Sequence, residues 1–265
     1  MIIGRYPRSK SSGVAVESRF IIEVTMGVGE SFTMPTITGY TYNYTVDWGD
    51  GSSIDTITAF DQAERIHDYT ASGAGVYTII MEGLCQTWHF KTVTTSALKL
   101  TKIVNLGSMG WTVLINAFQD CVNLTSCTGG DTSNITSLGL AYVFASDVSL
   151  VSVDTTGWDT SGCTGYALLF YRCTLLESIG VLDCTTITNM ALIVALCPAL
   201  SSGIFLNASV SFSLLNCNFD AAGLDAIYTA LGDGTGQTIT VTGNPGVGGD
   251  DPSIATAKNW TVVGS

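Results

Sequence analysis

The chain has 265 residues and a formal net charge of −12, a length that suits one large domain or two to three smaller ones. The charge is uneven. Residues 1–102 carry eight Lys and Arg against ten Asp and Glu, whereas residues 103–265 carry two against twelve. Phosphate binding requires clustered basic residues, so nucleic acid is excluded as an expected partner. Charged residues make up only 12% of the chain, which is typical of a β-rich extracellular-type protein or of a protein covered by neighbours in an assembly.

Neither a membrane span nor an export signal is expected. The longest apolar stretch, residues 190–200, is interrupted by Pro198, and a spanning helix needs about 20 apolar residues. No apolar segment of about 7–15 residues follows the basic residues near the start. If residue 1 is the true start, the protein is not exported by the usual route; if a signal was removed earlier, that inference fails.

Residues 1–14 show neither strand nor helix periodicity and are interpreted as an N-terminal arm. Two readings stay open. The arm is a floppy tail, or it docks on an acidic partner subunit through apolar and basic side chains. The side chains in question are Ile2, Ile3, Arg5, Tyr6 and Arg8.

Residues 15–90 alternate apolar and polar side chains in the manner of strands, in the runs FIIEVTM, YTYNYTVDWGDGS and VYTIIMEG. Asp50-Gly51 predicts a tight turn between two of these strands. The turn residues Trp48, Gly49, Asp50 and Gly51, followed by His67-Asp68-Tyr69, resemble a polycystic-kidney-disease (PKD) type domain. That resemblance implies an immunoglobulin-like β-sandwich.

Two aspartates near this turn, Asp47 and Asp50, are candidate calcium ligands because paired carboxylates suit that ion. The more frequent role of such aspartates is to accept hydrogen bonds from the backbone N–H groups of the turn. His67 is interpreted as a hydrogen-bonded structural residue, and no motif surrounds His89. No metal or cofactor is therefore predicted, and calcium stays an open alternative.

Residues 91–217 contain a repeat with a period of 24 to 26 residues. Each unit has a large apolar anchor, a small residue three positions later and a leucine three positions after that. The anchors are Phe118, Phe144, Phe170 and Val194; the small residues are Cys121, Cys173 and Cys197, with Asp147 breaking the series; the leucines are Leu124, Leu150, Leu176 and Leu200.

The spacing of the anchors predicts one helix per unit, because residues four before and three after each anchor would share a helix face. A short strand would follow each leucine, and the units would stack as a right-handed solenoid with one continuous core. The cysteines would form a column of buried free thiols. Disulfides are the alternative, whereas zinc is disfavoured because the chain has no Cys-x-x-Cys pair.

The runs NAFQDCVNLTS, GWDTS and YALLFYRCTLLESI resemble BspA-like leucine-rich repeats over residues 98–217. The resemblance implies a surface-exposed adhesion or binding protein without catalytic residues. The spacing departs from the pattern around residues 214–217, so the array is predicted to end there.

Residues 218–265 are predicted to form an α/β cap. Helical spacing covers FDAAGLDAIYTAL, with Asp220 as the N-cap and Gly232 as the stop, followed by a strand, a short helix and a final strand. The segments TGNPG and SIATAKNWTV resemble the tail of phage and gut-bacterial repeat proteins. The predicted fold class is thus mixed β and α/β: an Ig-like sandwich, a leucine-rich-repeat-type solenoid and this cap.

The functional prediction is a non-enzymatic phage virion protein, such as a tail, fibre or capsid-decorating component that attaches to a host surface. Only two histidines exist, neither in a catalytic motif, and no phosphate-binding glycine loop with a lysine is present. Expected partners are other virion proteins, copies of itself, or a host-surface glycan or protein. The alternatives are a bacterial cell-surface adhesin and a carbohydrate-binding accessory module.

Overall fold

The computed structural model describes residues 18–155 and 157–265. The predicted N-terminal arm, residues 1–14, lies outside the described residues. The chain is mostly β, with fourteen strands and three α-helices in the described part. The strands are β1 Phe20–Met26, β2 Ser31–Thr33, β3 Tyr42–Asp47, β4 Asp55–Ile57, β5 Ile66–Asp68, β6 Gly75–Cys85, β7 Leu100–Asn105, β8 Ser126–Cys127, β9 Ser152–Val153, β10 Ser178–Asp183, β11 Ser202–Leu206, β12 Phe212–Ser213, β13 Gln237–Thr240 and β14 Trp260–Val263; the helices are α1 Thr94–Ala97, α2 Ala221–Ala230 and α3 Ser253–Thr256.

Nine strands form one sheet in the order β11-β10-β9-β8-β7-β1-β6-β3-β4. The strands β7 to β11 are parallel, and β1, β6, β3 and β4 are antiparallel to their neighbours. β1 joins the two blocks because it pairs with both β6 and β7. The immunoglobulin-like sandwich therefore stays a prediction: its strands are present, but they are continuous with the repeats in one sheet and one hydrophobic core.

The parallel block is the strand side of a β-solenoid of about seven turns, called rungs below. One aspartate or asparagine per rung marks the exit from this side, in the series Asp131, Asp159, Asp183, Asn207, Asp233 and Asn259. Most of these aspartates accept the backbone N–H two residues later, as Asp131 does from Ser133 at 3.0 Å and Asp233 from Thr235 at 3.2 Å. These side chains therefore close the turns at which each rung leaves this side of the solenoid.

The prediction of one helix per repeat is wrong. The segments concerned lie on the side of the solenoid opposite the parallel strands. The anchor segments, residues 114–121, 140–147, 166–173 and 190–197, consist of consecutive turns and contain no helix. Each has two residues in the left-handed region with φ between 54° and 67°, four positions apart: Asn116 and Asp120, Tyr142 and Ser146, Leu168 and Arg172, Leu192 and Leu196. A left-handed residue every fourth position reproduces the spacing of a helix face while preventing a right-handed helix.

Hydrogen bonds between rungs stabilise these turns. The N–H of Phe118 donates to Val143 O at 2.9 Å, and that of Phe144 donates to Leu169 O at 2.9 Å. The N–H groups two residues before and after each anchor make the same kind of bond in the first rungs. A helix would have used these donors within its own segment, so the backbone pairs rung to rung instead.

The anchor side chains stack along the solenoid axis. The rings of Phe118 and Phe144 lie 5.5 Å apart at 18°, and those of Phe144 and Phe170 lie 5.6 Å apart at 4°. All three are fully buried, as is Val194 in the next rung. The predicted leucines are buried beside them: Leu124, Leu150, Leu176 and Leu200.

The C-terminal region continues the solenoid with a different kind of rung. Asp220 caps α2 by accepting the Gly223 N–H at 2.7 Å, and the helix takes the place of a strand beside β11, as bonds from Asn218 N to Leu200 O and from Asn207 N to Ala230 O show. On the opposite side the turns give way to the parallel strands β12, β13 and β14. The repeat array was predicted to end near Cys217. The solenoid continues past that point, and what changes there is the type of rung.

The two edges of the nine-stranded sheet differ. α2 lies along β11, whereas at the other edge the Gln62 side chain accepts the Thr58 N–H and donates to Thr56 O of β4. A helix along an edge strand, and short edge strands such as β4, both limit strand pairing between molecules. Among the described helices, none has the length and apolar character that a membrane crossing would need.

We expect Phe144→Ala to lower the free energy of unfolding by about 3–5 kcal/mol, because it removes the middle ring of the stack and leaves a cavity. Chemical denaturation followed by circular dichroism measures this loss. Val148→Ala is the control: it lies in the same rung but is 37% exposed, so its change should stay within about 0.5 kcal/mol. Equal losses in the two variants would contradict the stack's role.

Candidate functional site

The outward side of strands β8 to β11 carries a row of serines. Ser126, Ser152, Ser178 and Ser202 are direct neighbours in the strand register. Adjacent strands lie about 4.8 Å apart, so this row places one hydroxyl per strand at a regular interval. The Cys127, Val153 and Ile179 side chains that alternate with the serines are buried in the core.

Two depressions lie at these strands and share Ile179 and Gly180 in their linings. The first, of about 260 Å³, is lined by Thr128, Ser152, Asp154 and Ser178 in addition to the shared residues. The second, of about 300 Å³, lies between β10, β11 and α2. Its lining includes Val181, Ser202, Gly203, Ile204, Gly223 and Ala226. We call the two together the serine groove.

The second depression depends on residues that lack bulk. A Cβ atom on Gly203 would come within 2.4 Å of Ile179 Cγ1, and one on Gly180 would come within 2.4 Å of Thr155 Oγ1. A side chain at either position would therefore have to displace Ile179 or Thr155. Val181, beside these two glycines, is 54% exposed. The groove therefore combines hydroxyl groups, and backbone that no side chain covers, with a small apolar surface. This lining suits a neutral, hydroxyl-rich or amide-rich ligand that packs against small apolar side chains.

The predicted Trp48–Gly51 turn lies elsewhere in the molecule and is held together by Asp50. The Oδ2 atom of Asp50 lies 2.9 Å from His67 Nε2 and accepts the Ser72 hydroxyl at 2.8 Å, while Oδ1 accepts the Ser52 N–H at 3.0 Å. The His67 ring stacks on Trp48 at 4.7 Å. Burial alone would raise the pKa of Asp50, but the hydrogen bonds from Ser52, His67 and Ser72 outweigh it and hold the pKa well below its usual range.

This cluster has the composition of a Ser-His-Asp site but the wrong order. The carboxylate stands between the serine and the histidine, so His67 does not contact the Ser72 hydroxyl as the histidine of such a site would. Asp47 accepts the Gly49 N–H at 3.0 Å, the backbone role that competed with calcium binding. Among the residues that the structure describes, no three His, Cys, Asp or Glu side chains come together as a metal site.

Gly49 shows why the turn needs its sequence. Its φ is 78°, and a Cβ atom there would lie 2.3 Å from the Thr78 carbonyl oxygen. The backbone thus passes directly over β6, and the indole of Trp48 is fixed by donation to Asp55 Oδ2 at 2.8 Å. The Trp48–Gly51 motif is thus a tightly packed turn over β6.

The structure places all eight cysteines in buried positions as free thiols. Cys173 and Cys197 donate to carbonyl oxygens of the preceding rung, at 3.0 Å to Phe144 O and 2.9 Å to Phe170 O. Burial raises the pKa of the Cys163 thiol to about 11 and that of Cys197 to about 12. Thiolates are the reactive form, so these side chains are packing groups rather than nucleophiles.

We expect none of the eight thiols to react rapidly with a disulfide-exchange reagent in the native protein, because all are buried and protonated. In denaturant without reductant, all eight should react. The absorbance of the released chromophore counts them directly. A count below eight in the denatured protein would reveal a disulfide, and rapid native labelling would show an exposed thiol.

Asp50→Asn should lower the free energy of unfolding at neutral pH by about 1.5–3 kcal/mol, because it weakens charge-assisted hydrogen bonds to a mostly buried carboxylate. The folded-state pKa of Asp50 is depressed, so this stabilisation is present above the unfolded pKa and is lost as pH falls toward the folded value. Denaturation at neutral and at acidic pH tests this. Asp47→Asn, which keeps its acceptor for Gly49, should have little effect at either pH.

No protein-family model, no curated protein and no solved structure matches this chain. The PKD-type and BspA-like resemblances therefore stay predictions from the motifs. What the chain does must be inferred from the geometry of the serine groove and the solenoid that carries it.

Proposed function

We propose that this protein is a non-enzymatic structural and binding component of a phage virion, and that the serine groove is its binding surface. The observation that carries the proposal is the lining of the groove: hydroxyl groups, uncovered backbone and apolar side chains from alanine to Phe219, with Asp154 as its ionisable side chain. Such a surface suits a neutral, hydroxyl-rich or amide-rich ligand.

The architecture supports the structural part of the proposal. A stack of rungs held by backbone hydrogen bonds and buried rings needs no metal or disulfide, so it can assemble in a reducing cytoplasm, where virions form. The PKD-type turn and the BspA-like repeats are both motifs of surface-exposed proteins. A bacterial surface adhesin would use the same groove, and particle composition separates the two proposals.

Quantitative mass spectrometry of purified particles tests the virion assignment. We expect this chain in intact particles at a fixed copy number relative to the major capsid protein. Its release with the host envelope fraction, and absence from particles, would favour the adhesin instead.

A matched pair of variants tests the groove. Val181→Arg places a bulky cation in it, and Val263→Arg makes the same change on β14, away from the groove, where the side chain is 45% exposed. We expect Val181→Arg to weaken binding to host-envelope fractions at least tenfold and Val263→Arg to leave binding unchanged. Equal affinities for both variants and the native protein would show that the groove is not the binding surface.

A further inference from the structure

Five rungs place one residue at the same position, three residues after the anchor. In the last three of them this residue is Cys173, Cys197 or Cys217, and each thiol donates to the anchor carbonyl of the rung before, at 3.0, 2.9 and 3.4 Å. The column thus uses a hydrogen-bond donor at this position to join rungs. Cys121 occupies the same position in the first rung and is also fully buried.

Asp147 occupies this position in the second rung and is 0% exposed. Its Oδ1 atom accepts the Cys121 N–H at 2.8 Å. Its Oδ2 atom, also buried, has no hydrogen-bond partner among the described residues. An ionised carboxyl has only acceptors to offer, whereas the other rungs place a donor here.

Among the residues that the structure describes, those around Asp147 supply no opposite charge. The titratable groups that face it are the Asp120 carboxylate and the thiols of Cys121, Cys127 and Cys173. Burial raises the pKa of Asp147 well above its usual range; the Cys121 N–H lowers it and Asp120 raises it further. An unpaired carboxylate in such a place would carry a large desolvation cost.

We propose that Asp147 is held as a neutral carboxylic acid in the folded protein, and that ionisation of this single group makes the second rung the pH-sensitive point of the solenoid. The observations behind this are its complete burial and the absence of any partner for Oδ2 among the described residues. The rungs that carry cysteine at this position have no such dependence near neutral pH.

The sign of the effect follows from linkage. The unfolded chain releases the Asp147 proton near pH 4, and the folded chain retains it to a higher pH. Stability from this group is therefore full below the unfolded pKa and falls as pH rises toward the folded pKa. Over that window the unfolding equilibrium constant should increase about tenfold per pH unit from this group alone.

Asp147→Asn is the decisive variant, because an amide presents the same acceptor and donor as the neutral acid but cannot ionise. We expect it to match the native protein at acidic pH and to be more stable at neutral pH, by a factor in the unfolding constant that grows about tenfold per pH unit. The control is Asp61→Asn, an exposed aspartate outside the repeats, which should leave the pH dependence of stability unchanged. If the fold favoured the ionised carboxylate instead, the native protein would gain stability as pH rises, and Asp147→Asn would be the less stable of the two at neutral pH.

Infrared spectroscopy supplies a test that does not depend on the folding of a variant. Native protein labelled with carbon-13 aspartate should show a carboxylic-acid carbonyl band at neutral pH, shifted by the label, because the exposed aspartates are ionised there. The same band should be missing from Asp147→Asn. A native spectrum without an acid band at neutral pH would overturn the proposal.

Discussion

The constraint on which this molecule depends is that each rung must satisfy its backbone through its neighbours. The anchor segments contain no helix that would pair N–H and carbonyl groups internally, so alternate N–H groups reach the next rung instead. Buried backbone groups left unpaired are costly. The rungs therefore have to stack in a fixed register, and that register brings Phe118, Phe144 and Phe170 ring upon ring.

The register also explains which substitutions the column accepts. Backbone hydrogen bonds fix the rungs on either side of this position. The side chain there must therefore fit one volume and one set of neighbouring polar atoms. Cysteine fits that volume and donates weakly, as at Cys173 and Cys197. Asp147 fits the same volume only at an electrostatic cost, so its presence points to a role that a thiol does not provide.

The sequence was sufficient to predict the repeat, its period and its buried residues, because burial leaves an apolar pattern that any stacked architecture shares. It was insufficient to distinguish a helix from consecutive turns, since a left-handed residue every fourth position gives the same spacing of buried side chains. The Asp220 cap and α2 were predictable because capping is local. The serine groove was not, because it depends on in-register neighbours from four strands and on the missing side chains of Gly180 and Gly203. The period-wise recurrence of Ser126, Ser152, Ser178 and Ser202 was the available signal.

The position of β1 has a consequence for how the molecule is made. β1 is the first described strand, yet it lies inside the sheet between β6 and β7. The ribosome must therefore deliver residues through Asn105 before β1 can pair with β7, and residues through Cys127 before the first parallel strand pair, β7 with β8, can close. Each later rung then pairs with the rung before it. Because only a short stretch of chain separates neighbouring rungs, these pairings are of low contact order, and the solenoid folds from the N-terminus to the C-terminus as it is made. A chain released early would end in an open parallel edge, and only the arrival of α2 removes that hazard for aggregation during synthesis.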